Sequence, residues 1–121
     1  MANLAIMLKK LGKEVVGSDL PAVFPTDVVL KKNGICLVAG FAAADLPAGI
    51  DLAVYSAAHG GLQHPQIQAL LKQGVKVIHQ AELIGELLSW GENRIAVCGC
   101  HGKTTTASLL AYSLIKLKAE P

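Results

Sequence analysis

Aromatic side chains are scarce in this chain: two Phe, two Tyr and one Trp among 121 residues. Net charge is only +2, with acidic and basic residues interspersed and no run of lysine or arginine. Together these leave neither the stacking platforms nor the basic stripe that nucleic-acid binding uses. No apolar run reaches the ~18–20 residues a membrane span needs. The amino terminus lacks the layout of a secretory signal, because its lysines follow the apolar segment instead of preceding it. Cysteine is limited to Cys36, Cys98 and Cys100, an odd number without framework spacing, which argues against a disulfide-stapled fold and fits a reducing cytoplasm. What is abundant is apolar material: 52% hydrophobic residues and a mean hydropathy of +0.45, ample for the core of one domain or of one domain plus a piece of another.

That material is arranged in short alternating blocks. Helical spacing is expected over residues 1–11, 27–33, 65–73 and 81–90, with Gly12, Gly34, Gly74 and Gly91 at the stops. Short apolar runs at 14–17, 35–39, 51–57, 75–78 and 95–98 read as strands, and Pro21 and Pro25 make 20–26 a loop. Strands that alternate with helices argue for an α/β fold with a parallel sheet. A boundary is expected at 89–93, giving one domain over 1–91 and the start of a second over 92–121. A dinucleotide-type domain ordinarily opens on a strand and a glycine-rich turn. Here a helix comes first, so a strand from the middle of the sheet is expected to be missing, and the bare edges would favour self-association.

The most specific stretch is 93–116, NRIAVCGCHGKTTTASLLAYSLIK. An apolar run enters a polar turn, Gly99-Cys100-His101-Gly102-Lys103-Thr104-Thr105-Thr106, and a helical pattern leaves it. Strand, glycine turn, Lys-Thr and helix form the layout of a phosphate-binding loop. Glycines let backbone N–H groups approach phosphate oxygens, and a helix amino terminus adds unpaired donors and partial positive charge. Lys103 can reach the outer phosphates, and the Thr104 hydroxyl can sit on a Mg²⁺ ion that bridges them. The spacing is Gly-x-x-Gly-Lys-Thr-Thr, shorter than the usual form, since Val97 stands where the first glycine would be. The plainer alternative is a glycine turn with a solvated lysine; an unrelated small nucleoside triphosphatase is another.

Four stretches resemble the Mur ligase family: Met1-Ala2-Asn3-Leu4-Ala5; Val16-Gly17-Ser18-Asp19; Asp51-Leu52-Ala53-Val54-Tyr55-Ser56-Ala57-Ala58 with His64-Pro65; and the loop from Gly99 to Thr106. The resemblance implies a Rossmann-like UDP-sugar-binding domain over 1–91, lacking its first strand and glycine loop. Residues 92–121 would be the first strand, loop and helix of an ATPase domain. It implies ATP and Mg²⁺ as cofactors, UDP-N-acetylmuramate and L-alanine as substrates, and amide formation through an acyl phosphate. Lys103 and Thr104 would be the catalytic pair, with Thr104 on Mg²⁺. Gly99, Cys100, His101, Gly102, Lys103, Thr104 and Thr105 would bind ATP. The chain is expected to be a fragment, inactive alone. A non-catalytic nucleotide or UDP-sugar module and a murein-peptide recycling ligase are the competing readings.

Ser18 and Asp19 end a strand where nucleosides bind in such sheets, and an acid there can hold ribose hydroxyls or a base edge; the bland alternative is a loop cap before Pro21. Ser56, His59 and His79 stand near other strand ends and complete the expected UDP-sugar set. His64, before Pro65, reads as a helix-start residue. Cys98, Cys100 and His101 lack a second ligand pair at zinc spacing. Cys98 is expected in the core, and Trp90, at a helix end, is expected to pack at the domain junction, with base stacking as the alternative.

Overall fold

The computed structural model describes residues 1–119. They fall into two compact units, Met1–Leu87 and a second that begins at Leu88.

The first unit runs α1 (Ala2–Lys10), β1 (Val16–Asp19), α2 (Pro25–Lys32), β2 (Cys36–Ala39), β3 (Leu52–Tyr55), α3 (Pro65–Lys72), β4 (Lys76–His79) and α4 (Gln80–Leu88), the last ending one residue beyond it. Short 3-10 turns at Ala43–Asp45 and Ala58–Gln63 flank β3. The alternation is as expected, but two details differ. Residues 14–17 form the strand two positions later, because Ser18 and Asp19 themselves pair with Val38 and Ala39. Pro25, assigned to loop, is the first residue of α2, a position where its missing N–H costs nothing.

Pairing is parallel throughout. Val16 to Asp19 match Cys36 to Ala39, and Leu52 to Tyr55 match Lys76 to His79. The four strands do not join: β1 bonds to β2 and β3 to β4, as two separate two-stranded sheets.

Alternation along the strands sorts the core. Ala53 packs with Ile67 and Leu70 of α3, joined by Tyr55, Val75 and Val77. Val54 points the other way, into a cluster of Ile78 with Leu83 and Leu87 of α4, against which Leu4 and Leu8 of α1 also pack. Thus α1 and α4 share a face, α2 lies against α1, and α3 takes the opposite face.

The second unit holds α5 (Lys103–Lys116). Residues 95–98, expected as a strand, are not one: a parallel strand needs neighbours to bond, and no described residue supplies them. For the same reason Cys98, expected in the core, is exposed. Trp90, expected to pack, is 66% exposed. Arg94 ties down the preceding turn by donating to the carbonyls of Gly91 and Ser89, both at 3.0 Å.

Ile35 enters β2 with 2% of its surface exposed and is the most enclosed large side chain described. Ile35→Ala should lower stability by about 2–5 kcal/mol, read by urea denaturation followed by circular dichroism.

Candidate functional site

Two groups of side chains gather at the carboxyl ends of the strands. At β1, Asp19 Oδ1 accepts the Leu20 N–H at 2.8 Å, leaving the second carboxylate oxygen available. The Ser18 hydroxyl donates to the Gly40 carbonyl at 2.8 Å, and the Gly40 N–H donates to the Asp19 carbonyl at 2.8 Å. Ser18 thus acts as a strut that holds the chain leaving β2 against the end of β1. Asp19 lines a cavity of about 250 Å³ together with Leu20, Pro21, Asp27, Lys31 and Val38. Asp27 and Lys31 stand one helical turn apart on α2. Asp27 accepts the Phe24 N–H at 2.9 Å and so caps the helix instead of pairing with Lys31. Neither residue was singled out from the sequence; their spacing of four was the available signal.

The second group lies at the end of β3 and β4. His59 is held in the left-handed region (φ 53°, ψ 36°), and Gly60 and Gly61 follow with positive φ. A side chain is tolerated there at a steric cost, so the turn is over-determined by its surroundings. One such support is Phe41, whose ring lies 5.2 Å from His59 and 4.6 Å from His64, edge-on to the latter. His64 directly precedes α3, as the sequence suggested. Buried Gln66 donates to the Ala42 carbonyl at 3.0 Å and fixes the same segment. Tyr55 and His79, register partners, meet edge to face at 5.2 Å. Ser56 is half-buried immediately after β3.

Gly40 and Phe41 connect the groups: Gly40 is bound by Ser18 and Asp19, and its neighbour is flanked by the two histidines. Phe41 was missed from the sequence. An aromatic opening an alanine-rich stretch was the clue.

In the second unit the turn before α5 uses Gly99 (φ 149°) and Gly102 (φ 76°) in backbone states that disfavour side chains. No side chain caps α5, so its first amides remain open donors. Lys103 folds back and donates to the carbonyls of Gly99 at 2.7 Å and Cys100 at 3.0 Å. His101, Thr104 and Thr105 are exposed. Among the described residues no group of three or more His, Cys, Asp or Glu is placed to hold a metal ion. The Thr104 hydroxyl is a hard oxygen donor of the kind Mg²⁺ accepts, and it fits as a single ligand beside phosphate oxygens.

A family model described as Mur ligase family, catalytic domain, matches residues 1–90. The chain belongs to the Mur ligase family. It is 36% identical over 121 residues to the UDP-N-acetylmuramate–L-alanine ligase of Chlorobium phaeobacteroides (strain BS1), and 38% identical over 121 residues to that of Gloeobacter violaceus (strain ATCC 29082 / PCC 7421). Each match takes in the whole chain but 25% of the relative, so the chain spans about a quarter of the length of these curated relatives. Among solved structures it superposes on a murein peptide ligase from Psychrobacter arcticus 273-4 (TM-score 0.80, 31% identity, 94% of this chain and 24% of that one). It also superposes on the UDP-N-acetylmuramate:L-alanyl-γ-D-glutamyl-meso-diaminopimelate ligase from Neisseria meningitides (TM-score 0.81, 34% identity, 94% and 35%). The likeness to this family rests on a mixed α/β fold with parallel strands as well as on sequence.

Cys36, Cys98 and Cys100 are all free and exposed. Titration of the native chain with an aromatic disulfide reagent should release three equivalents rapidly, without denaturant; fewer would show that at least one of these thiols is enclosed in the native chain.

Proposed function

We propose that these residues form the nucleotide-handling part of an ATP-dependent ligase that joins UDP-N-acetylmuramate to L-alanine in peptidoglycan synthesis. Residues 1–91 take the UDP-sugar in a Rossmann-like domain, and 92–121 begin the ATP-binding domain. The observation that carries the reading is the Gly99–Gly102 turn that opens onto the uncapped start of α5, with Lys103 resting on the turn's own carbonyls. A phosphate chain satisfies the open amides and draws the Lys103 ammonium away from weaker, neutral acceptors. Gly99, Cys100, His101, Gly102 and Thr105 shape this ATP site. Thr104 contributes a hydroxyl to Mg²⁺, which when bound neutralises phosphate charge.

In the assembled ligase the substrate carboxylate attacks the γ-phosphorus of ATP and ADP departs. The amine of the amino acid then displaces phosphate from the acyl phosphate, forming the amide. Lys103 stabilises charge on the transferring phosphoryl group. These 121 residues alone bind ligands without turning over. Asp19 holds the uridine end through its uncommitted oxygen; Ser18 keeps the strand ends in place; Ser56, His59 and His79 line the path of the sugar nucleotide. The three free thiols suit a cytoplasmic location. A second reading, a ligase that recycles murein peptide, draws support from the two solved structures, and the residues described are compatible with either acceptor.

Calorimetric titration tests both halves. The chain should bind UDP-N-acetylmuramate, and Asp19→Asn should weaken this about tenfold. Mg²⁺-ATP should bind separately and slow the reaction of Cys100 with thiol reagents, and Lys103→Ala should abolish that protection. A folded chain that binds neither ligand would refute the proposal. In a full-length ligase that carries this sequence, Lys103→Ala should cut turnover by orders of magnitude.

A further inference from the structure

Helix α4 opens on a histidine, where amino-terminal caps are ordinarily Ser, Thr, Asp or Asn. His79 ends β4 and directly precedes α4. Its Nδ1 accepts the N–H of Ala81, the second helical residue, at 3.2 Å. Glu82, the third, returns a carboxylate oxygen to the N–H of His79 at 3.1 Å. The exchange is a variant of the capping box: an imidazole stands in place of the hydroxyl and accepts from the second helical amide where the box uses the third. An accepting Nδ1 places the proton of the neutral ring on Nε2. The edge-to-face contact with Tyr55, planes at 73°, holds the ring's orientation. A serine would make the same cap with less side chain to order. What the imidazole adds is an N–H donor at the carboxyl end of the β3–β4 pair, and Nε2 has no hydrogen-bond partner among the described residues.

We propose that the cap locks His79 as its Nε2–H tautomer, so that the ring serves as a fixed hydrogen-bond donor to an acceptor oxygen of the sugar nucleotide. This rests on the UDP-sugar reading given above and extends it: His79 selects for an acceptor and against a donor at that point of the ligand. It works without a charge, because a protonated ring would lose the Nδ1 acceptor that the cap requires.

Two measurements on the 121-residue chain test this. In imidazole ¹⁵N spectra at pH 8, one ring should show a pure Nε2–H pattern that vanishes in His79→Ser; an Nδ1–H ring or a tautomer mixture at that position would overturn the lock. Adding UDP-N-acetylmuramate should shift the Nε2 signal. His79→Ser should keep the thermal midpoint, since a serine still caps, yet bind UDP-N-acetylmuramate about tenfold more weakly. His79→Ala should lose both midpoint and affinity. Binding by His79→Ser as tight as by the unaltered chain would overturn the donor role and leave the UDP-sugar reading standing. Absence of binding by the unaltered chain would overturn that reading and the ligand contact together, while the tautomer pattern would still decide the lock.

Discussion

Parallel strands cannot be joined by a tight turn, so each pair in the first unit needs a helix to carry the chain back to its starting edge. That requirement sets most of what is seen. It places α2 between β1 and β2 and α3 between β3 and β4, and leaves the strand-to-helix turns at one end of each pair. It also brings Asp19, Tyr55, Ser56 and His79 to carboxyl ends without any long-range contact having to recruit them. The helices settle on opposite faces because Ala53 and Val54 are adjacent and point apart.

The two pairs remain separate sheets. A two-stranded parallel sheet is weak alone, and what supports these two is apolar packing outside them. Leu4 and Leu8 of α1 lie on the cluster under β4 and α4, and the segment after β2 is pinned by Ser18, Gln66 and the rings of His59 and His64. The pinned segment is also where the candidate ligand residues converge. Support of the fold and formation of the site therefore draw on the same few contacts around Gly40 and Phe41. The turn before α5 is a contrast: it is organised locally, by glycine geometry and by Lys103 bonding to the carbonyls of its own loop.

Much of this was legible in the residues alone. Alternating apolar blocks bounded by glycines give helices and strands close to their observed places, because a helix's 3.6 period and a strand's period of 2 are local properties. Gly-x-x-Gly-Lys-Thr-Thr marks its turn for the same reason, since positive φ at Gly99 and Gly102 is a backbone demand that glycine meets wherever it stands. The family resemblance was equally a matter of contiguous motifs.

Tertiary structure alone decided the rest. Whether 95–98 is a strand depends on neighbours to bond with, and apolar content cannot supply them. That the Ser18 hydroxyl donates to Gly40 depends on a contact 22 residues away. Phe41 joins the site only because β2 and β3 end on the same side. His79 looked like one more polar residue at a strand end. Its place as a helix cap required the turn into α4, and the ring of Tyr55 on the adjacent strand sets its orientation. The sequence determined which local geometries each segment could adopt; pairing and packing selected which polar atoms are used up inside the fold and which stay free for chemistry.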